Sequence, residues 1–332
     1  MSTPAAEPPT QRWAIVGTGM ISRSIIDDLA RLDDVEIAVV HSRDAAKAAR
    51  FAEELGIPRS TGDYADLLAD PTIEVIYLAT PIATHHQLAT QALTAGKHVL
   101  VEKPMAATAA EVEDLFHVAT EHGVFLMEAM WMKFNPAHRR LHEVIASGRI
   151  GEPRSLRASF GVAFPQDGSS RWHLDAGGGA LLDQGIYPVT FAYTFFGEPT
   201  AVHAVARSQP DGLDFGEHVT LEFAGDRYAQ CASDMTAFNE LSASVGGTTG
   251  WVTVPAPFWV STTFAVHADD QQNMFQTPEQ VHFEQEGNGY VPMLRATVDA
   301  IKDKQLQHPI HPAGDTIAVF RILDQIRSQI GR

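Results

Sequence analysis

The feature that most constrains this chain is a regular alternation of strand-like and helix-like segments over residues 12–130. Segments 12–16, 35–41, 75–79, 98–103 and 124–130 are rich in apolar strand formers. Between them, 45–55, 85–95, 109–122 and the stretch carrying Ile25, Ile26, Leu29 and Leu32 read as helices. Strands separated by helices of this length predict a doubly wound parallel sheet, because parallel neighbours need a crossover of about a dozen residues or more. Such sheets bind ligands beyond the carboxyl ends of their strands. The residues at those ends therefore carry most of the functional argument.

The first strand runs directly into Gly17-Thr18-Gly19-Met20-Ile21-Ser22 and then into amphipathic sequence. Strand, glycine turn and helix is the order that dinucleotide binding requires. Gly17 permits the tight turn, Gly19 lets the backbone approach a pyrophosphate, and the helix start with Met20 and Ile21 offers its free N–H groups. Ser22 stands where a third glycine is usual. The second strand ends, about 20 residues past the glycines, at the position that reads the adenosine ribose. An acid there favours NAD; here the residues are His41-Ser42-Arg43, with Lys47 one helical turn on. A hydroxyl and two cations suit the extra phosphate of NADP, so NADP is the expected cofactor and NAD the second choice. The competing reading makes Ser42 a helix N-cap followed by solvated basic residues.

In Lys97-His98-Val99-Leu100-Val101-Glu102-Lys103-Pro104 an apolar run ends in an acid, a base and a proline. Proline cannot continue a sheet ladder, so the strand should stop where Lys103 emerges into the ligand crevice. Lys103 is the candidate reacting group; a surface lysine closing a strand is the competing reading. Thr80-Pro81 ends the third strand at the same edge, where a nicotinamide would lie.

At 332 residues the chain accommodates two domains. The alternation stops near Phe134, which divides the sequence into a loose tail (1–10), a dinucleotide-binding domain (11–134) and a second domain (135–332). The second domain opens with a helix at 138–147 and a strand at 154–160. In Gly177-Gly178-Gly179-Ala180-Leu181-Leu182-Asp183-Gln184-Gly185-Ile186-Tyr187-Pro188, the glycines mark a turn and Leu181 onward reads as an apolar helix. Asp183 and Tyr187 share one face of it. Burying both is costly without partners, so they either bond to structure or face a polar cavity. Arg171-Trp172-His173 lies in the preceding loop, either as a lip over a substrate with Trp172 as wall or as ordinary surface. Residues 201–267 are strand-like and broken by turns; 293–301 and 316–326 read as closing helices.

Asp and Glu outnumber Lys and Arg by 41 to 24, for a formal charge of -17. That field repels nucleic acid and anionic membranes. The single cysteine, Cys231, excludes an internal disulfide framework and a thiolate zinc cluster. The adjacent His85 and His86 cannot both point inward from one helix, so no metal is expected. There is no apolar run of about 18 residues, hence no expected membrane span. Residues 1–10 lack the basic start and apolar core of a signal peptide, and a cytoplasmic protein is expected.

Two motifs then carry a resemblance. T-P-x-x-x-H from Thr80 to His85 and A-L-x-A-G-K-H-V-L-V-E-K-P from Ala92 to Pro104 resemble the Gfo/Idh/MocA oxidoreductases. The resemblance implies a Rossmann domain followed by an α+β domain with a large open, mostly antiparallel sheet, to which the strands of 201–267 are similar. It implies that Lys103 is catalytic and binds substrate, that Glu102 lines the nicotinamide and its ribose, and that His85 sits near the cofactor. G-G-G-A-L-L-D-x-G-x-Y matches the family's second signature, so Asp183 and Tyr187 would flank the substrate. Many members carry His in place of Tyr187. The tyrosine, and Glu128-Ala129-Met130-Trp131, are similar to the subgroup of dimeric dihydrodiol dehydrogenase and bacterial NADP-dependent D-xylose dehydrogenases.

The implied catalytic set is Lys103, Asp183 and Tyr187, with Trp131, Arg171 and Trp172 as further substrate candidates; Trp131 reads equally as a core aromatic. The implied reaction is hydride transfer between NADP and a hydroxyl or carbonyl carbon of an aldose, cyclic polyol or dihydrodiol. Either Lys103 or Tyr187 carries the proton. The sheet would make a homodimer or homotetramer. The alternative reading is a non-catalytic dinucleotide-binding sensor or regulatory protein of the same fold, whose known examples typically lack the acid–base set.

Overall fold

A computed structural model of the protein describes residues 10–267 and 275–331. All of the expected tail but its last residue lies outside them. The chain begins with β1 (Gln11–Val16), α1 (Met20–Leu29), β2 (Val35–His41), α2 (Ala45–Leu55), β3 (Ser60–Thr61), α3 (Tyr64–Ala69), β4 (Val75–Leu78), α4 (His85–Thr94), β5 (His98–Val101), α5 (Ala109–His122) and β6 (Leu126–Glu128). These strands form one parallel sheet in the order β3-β2-β1-β4-β5-β6. All four residues of β4, and three of four in β5, are buried. Helices cover both faces, so the strands read as continuous apolar runs rather than alternating ones.

The helix boundaries have local causes. Asp44 accepts from the Lys47 N–H at 3.0 Å to start α2, and Thr108 accepts from the Glu111 N–H at 3.2 Å to start α5. Ser42 is therefore not the cap; its hydroxyl accepts from the Asp44 N–H instead, at 3.3 Å. The strand expected over 98–103 stops at Val101. Glu102 still donates its N–H to Leu78 O at 2.8 Å, and Lys103 has left the ladder. The short elements β3 and α3 carry too few residues to show a period, and no pattern announces them.

The remainder comprises α6 (Pro136–Ala146), β7 (Pro153–Gly161), a π-helical turn (Leu181–Gly185), α7 (Ile186–Phe196), β8 (Ala201–Ser208), β9 (Asp214–Phe223), β10 (Arg227–Asp234), β11 (Ala243–Gly247), β12 (Trp251–Val254), β13 (Thr263–His267), β14 (Glu279–His282), α8 (Val291–Lys302) and α9 (Ala313–Gln329). Its eight strands run β14-β13-β12-β11-β7-β10-β9-β8, antiparallel except for the β7–β10 pair. One face, with Leu156, Phe160, Ala229 and Cys231, is buried where α7 lies on β7 and β10. The other face carries Arg157, His218, Thr220 and Gln230 and is open. The α/β class, a doubly wound parallel sheet plus a second and mostly antiparallel one, is as expected.

The strand order places β1 beside β4, so the chain leaves the sheet on either side of one crevice. Gly17 follows β1 at φ +120°, and a Cβ there would stand 2.1 Å from the Ala79 carbonyl oxygen beyond β4. Gly19 has φ -83°, and a Cβ on it meets nothing within 4 Å. Gly17→Ala should therefore cost roughly 3 kcal/mol or more in urea unfolding, from strain and clash. Gly19→Ala should leave the unfolding midpoint essentially unchanged.

Candidate active site

The exits of β1, β2, β4, β5 and β6 share one edge. At the exit of β5 the Glu102 carboxylate is buried and accepts from the Tyr77 hydroxyl and, at 3.1 Å, from the Lys103 N–H. Burial pushes its pKa up to about 7, against the opposing pull of Tyr77 and Lys103. Lys103 Nζ donates to the Asp183 carbonyl oxygen at 2.8 Å and lies 3.5 Å from the Asp183 carboxylate. It also stands 4.9 Å from the centre of the Tyr187 ring. The other Asp183 carboxylate oxygen is 2.9 Å from Arg171 Nη1. The expected Lys103, Asp183, Tyr187 and Arg171 are thus one cluster.

A local departure from regular helix brings this about. Asp183 lies in the π-helical turn, and Tyr187 in the first turn of α7. Such single turns widen the backbone and occur often at functional sites. The turn is anchored at its start, where the Leu181 N–H donates to Asp214 at 2.7 Å. Tyr187 is buried, and its hydroxyl accepts from the Trp131 indole N–H at 2.7 Å. Its own hydrogen is then the one it has left to give. Burial, with Glu102 nearby, holds this phenol well above its usual pKa.

Buried groups brace the backbone that follows Lys103. His85, of which Nδ1 and Nε2 lie 3.0 and 2.7 Å from the carbonyl oxygens of Pro104 and Thr80, ties the exit of β4 to that of β5. Burial lowers its pKa. His86 points outward to Asp114 at 2.7 Å. Glu128 accepts from the Met105 N–H at 3.0 Å and contacts His311 Nε2 at 2.8 Å. Tyr77, His311 and Tyr290 are absent from the sequence motifs, and Glu128 figures there only as the start of Glu128-Ala129-Met130-Trp131. Tyr77 alone left a local sign, a phenol within the aliphatic strand Val-Ile-Tyr-Leu, which needs a polar partner when buried.

Trp131 is buried against Tyr290, with ring centres 4.5 Å apart. Its N–H serves Tyr187. The Arg171 guanidinium lies 3.7 Å over the Phe164 ring. Trp172 donates its indole N–H to Pro165 O at 2.9 Å and packs edge-on to Phe215, beside a small apolar cluster of Ala180, Leu213 and Met235. The structure places it with that cluster.

At the β1 exit, α1 starts at Gly19 without a side-chain cap, the space above Gly19 is open and Met20 is 86% exposed. Uncapped N–H groups facing open space suit a diphosphate. At the β2 exit Ser42 is half-buried, Arg43 and Lys47 are exposed, and no carboxylate among the described residues pairs with either cation. Thr80 and Pro81 flank the same crevice from β4.

Comparison with known proteins decides the family. Residues 11–130 match the family model described as "Oxidoreductase family, NAD-binding Rossmann fold", and residues 138–253 match "GFO/IDH/MocA C-terminal domain". Trans-1,2-dihydrobenzene-1,2-diol dehydrogenase of Macaca fascicularis is 33% identical over 326 residues, covering 96% of this chain and 97% of that protein. The human protein of that name is 32% identical with the same coverage. This chain belongs to the Gfo/Idh/MocA oxidoreductase family. Among solved structures, a 3-ketoreductase from Actinomadura kijaniata in complex with NADP and TDP-benzene superposes with a TM-score of 0.86 at 28% identity, covering 97% of this chain and 98% of its own. Levoglucosan dehydrogenase with NADH and levoglucosan, at 21% identity and a TM-score of 0.88, shares the fold.

As a Gfo/Idh/MocA member the protein is an NAD(P)-dependent oxidoreductase, and its open α1 start fits that cofactor. Among the described residues no helix is long and apolar enough to cross a membrane. The Glu102 carboxyl yields a prediction about stability. Its folded pKa, about 7, lies above the ordinary 4.5. Its contribution is therefore fully present below about pH 4.5 and lost as pH rises through 7. Thermal melts should show Glu102→Gln relatively more stable than the parent at pH 8.5, with the gap narrowing at pH 5.5 and closing below about pH 4.5.

Proposed function

We propose that this oxidoreductase uses NADP to interconvert a secondary hydroxyl and a carbonyl on a polyhydroxylated ring, either an aldose, a cyclic polyol or a trans-dihydrodiol. The observation that carries the proposal is the convergence of Lys103, Asp183 and Tyr187 beside the dinucleotide edge. The bound dinucleotide supplies or accepts the hydride. Tyr187, whose hydroxyl oxygen already accepts from Trp131, gives its proton to the carbonyl oxygen in reduction and takes it back in oxidation. A phenol held above its usual pKa stays protonated, which favours the reductive direction.

Lys103 keeps its ammonium next to that oxygen and stabilises charge developing there. Asp183 fixes Lys103 through its carbonyl oxygen, and its carboxylate, shared with Arg171, is placed to accept from a neighbouring hydroxyl of the ring. Gly17, Gly19, Met20 and Ile21 hold the pyrophosphate; Thr80, Pro81 and Glu102 border the nicotinamide, with His85 bracing them. Ser42, Arg43 and Lys47 take the extra phosphate of NADP. In this reading residues 11–134 hold the dinucleotide, and 135–332 supply Asp183, Tyr187 and the subunit contact. The names of the dihydrodiol dehydrogenases and of the NADP-bound ketoreductase support the substrate and cofactor class.

The open face of the second sheet is the surface for self-association. It carries a concavity of about 1000 Å³ lined by Arg157, His203, Val205, His218 and Thr220, and Val205 is 69% exposed there. A homodimer or homotetramer is expected from light scattering, and Val205→Glu should shift it towards the monomer.

The reaction is tested by following reduced nicotinamide absorbance with NADP and NAD against aldoses, inositols and dihydrodiols. One class should turn over, with NADP preferred. Lys103→Met and Tyr187→Phe should each lower kcat on the order of 10²- to 10⁴-fold while the cofactor still binds. Arg43→Ala should raise the KM for NADP roughly tenfold and leave that for NAD unchanged. Tight NADP binding without turnover on any compound would overturn the proposal.

A further inference from the structure

Asp28 lies in the last turn of α1, fully buried, with its charge at the negative end of the helix dipole. Both circumstances are unfavourable for a carboxylate. It is compensated by a set of donors from one distant loop, namely the Asn288 N–H at 2.7 Å, the Asn288 side-chain amide at 3.1 Å and the Tyr290 N–H at 2.9 Å. Arg31 Nε lies 3.8 Å away. This loop leads into α8, which is itself tied down at Asp34 by Arg295, 2.8 Å away, and by Lys302.

What the loop delivers is the Tyr290 ring. It lies against Trp131 at 4.5 Å between centres, and Gly289 lets the backbone pass the indole, since a Cβ there would be 3.0 Å from it. Trp131 in turn donates to the Tyr187 hydroxyl at 2.7 Å. One continuous line of contacts thus runs from α1 through Asp28, Tyr290 and Trp131 to the phenol.

We propose that Tyr290, held by Asp28, is a positioning residue for the reaction, fixing the Trp131 indole so that its N–H aims the Tyr187 hydroxyl. The proposal rests on Tyr187 being the proton carrier. An indole has several rotamers, and a hydroxyl held by one donor follows it. With Tyr290 against one side of the indole and Tyr187 at its N–H, the ring has a single seat. Misplacement of a reacting group by about 1 Å costs on the order of a hundredfold in rate. The role needs the ring of Tyr290 and not its hydroxyl.

The test compares full-length variants by kcat, by NADP affinity from fluorescence quenching, and by thermal midpoint. Tyr290→Ala should lower kcat roughly ten- to a hundredfold with NADP affinity little changed, and Tyr290→Phe should restore the rate. Trp131→Phe, which keeps an aromatic ring against Tyr290 and loses the N–H, should fall with Tyr290→Ala. In a Tyr187→Phe background, Tyr290→Ala should cause no further loss, because both act on one proton transfer. Asp28→Asn keeps the side-chain volume and provides the same comparison should Tyr290→Ala fail to fold. Wild-type kcat in Tyr290→Ala, or a loss that multiplies with that of Tyr187→Phe, would overturn the positioning role. A Tyr187→Phe enzyme with full activity would instead overturn the proton-carrier reading on which it rests.

Discussion

The contact between Lys103 and Asp183 joins two pieces of chain 80 residues apart, the exit of a parallel strand and a widened turn ahead of α7. Neither group is fully buried, with side-chain exposures of 16% and 24%. A pair so placed contributes little net stability, because desolvation offsets most of the Coulomb attraction. Its value is geometric. The ammonium is held by a backbone carbonyl at 2.8 Å, closer than by the carboxylate at 3.5 Å. It therefore depends on where the turn puts its backbone, and the turn depends on Asp214, which accepts from the Leu181 N–H.

The surroundings follow the same division between stability and placement. His85 and Glu128 are buried polar groups that bond to the backbone of Pro104 and Met105, directly after Lys103. Replacing such groups with apolar ones often leaves stability intact, yet the peptides they hold would lose their fixed orientation. A lysine on a long flexible stem is placed most firmly when its backbone is immobilised, since its own rotamers are then the only freedom left to restrain. The cluster holds those rotamers through Asp183 and the Tyr187 ring.

Much of this was legible in the sequence because it is local. A strand that ends in Glu102-Lys103-Pro104 and a glycine turn between strand and helix declare themselves within ten residues, and both stand at the edge where the topology needs them. Asp183 and Tyr187 share a face at helical spacing even though a π-helical turn replaces the regular helix. The partners that arrive from far along the chain left no such trace. His311 reaches Glu128 across 183 positions, and the loop from Asn288 reaches Asp28 across 260. No periodicity records such pairs; they exist because the C-terminal helices α8 and α9 fold back against α1 and α5. Ser42 shows the converse limit. A serine ahead of a helix is a good cap by residue type, but Asp44 stands nearer the first helical turn and takes the role.

The overall charge sets a further condition on the cofactor. A chain of formal charge -17 opposes the approach of any dinucleotide phosphate. Long-range steering cannot then account for affinity, which has to come from contacts within a few ångströms. The free start of α1, Arg43 and Lys47 supply positive potential at one edge, and the first is built from backbone and cannot be titrated away. At ordinary ionic strength the screening length is about 8 Å. Distant carboxylates are therefore damped more than cations within contact distance of a phosphate would be. Under the proposed assignment the acidic surface and the anionic cofactor are compatible because recognition is short-ranged, and it is short-ranged because the sheet topology gathers those few groups at one crevice.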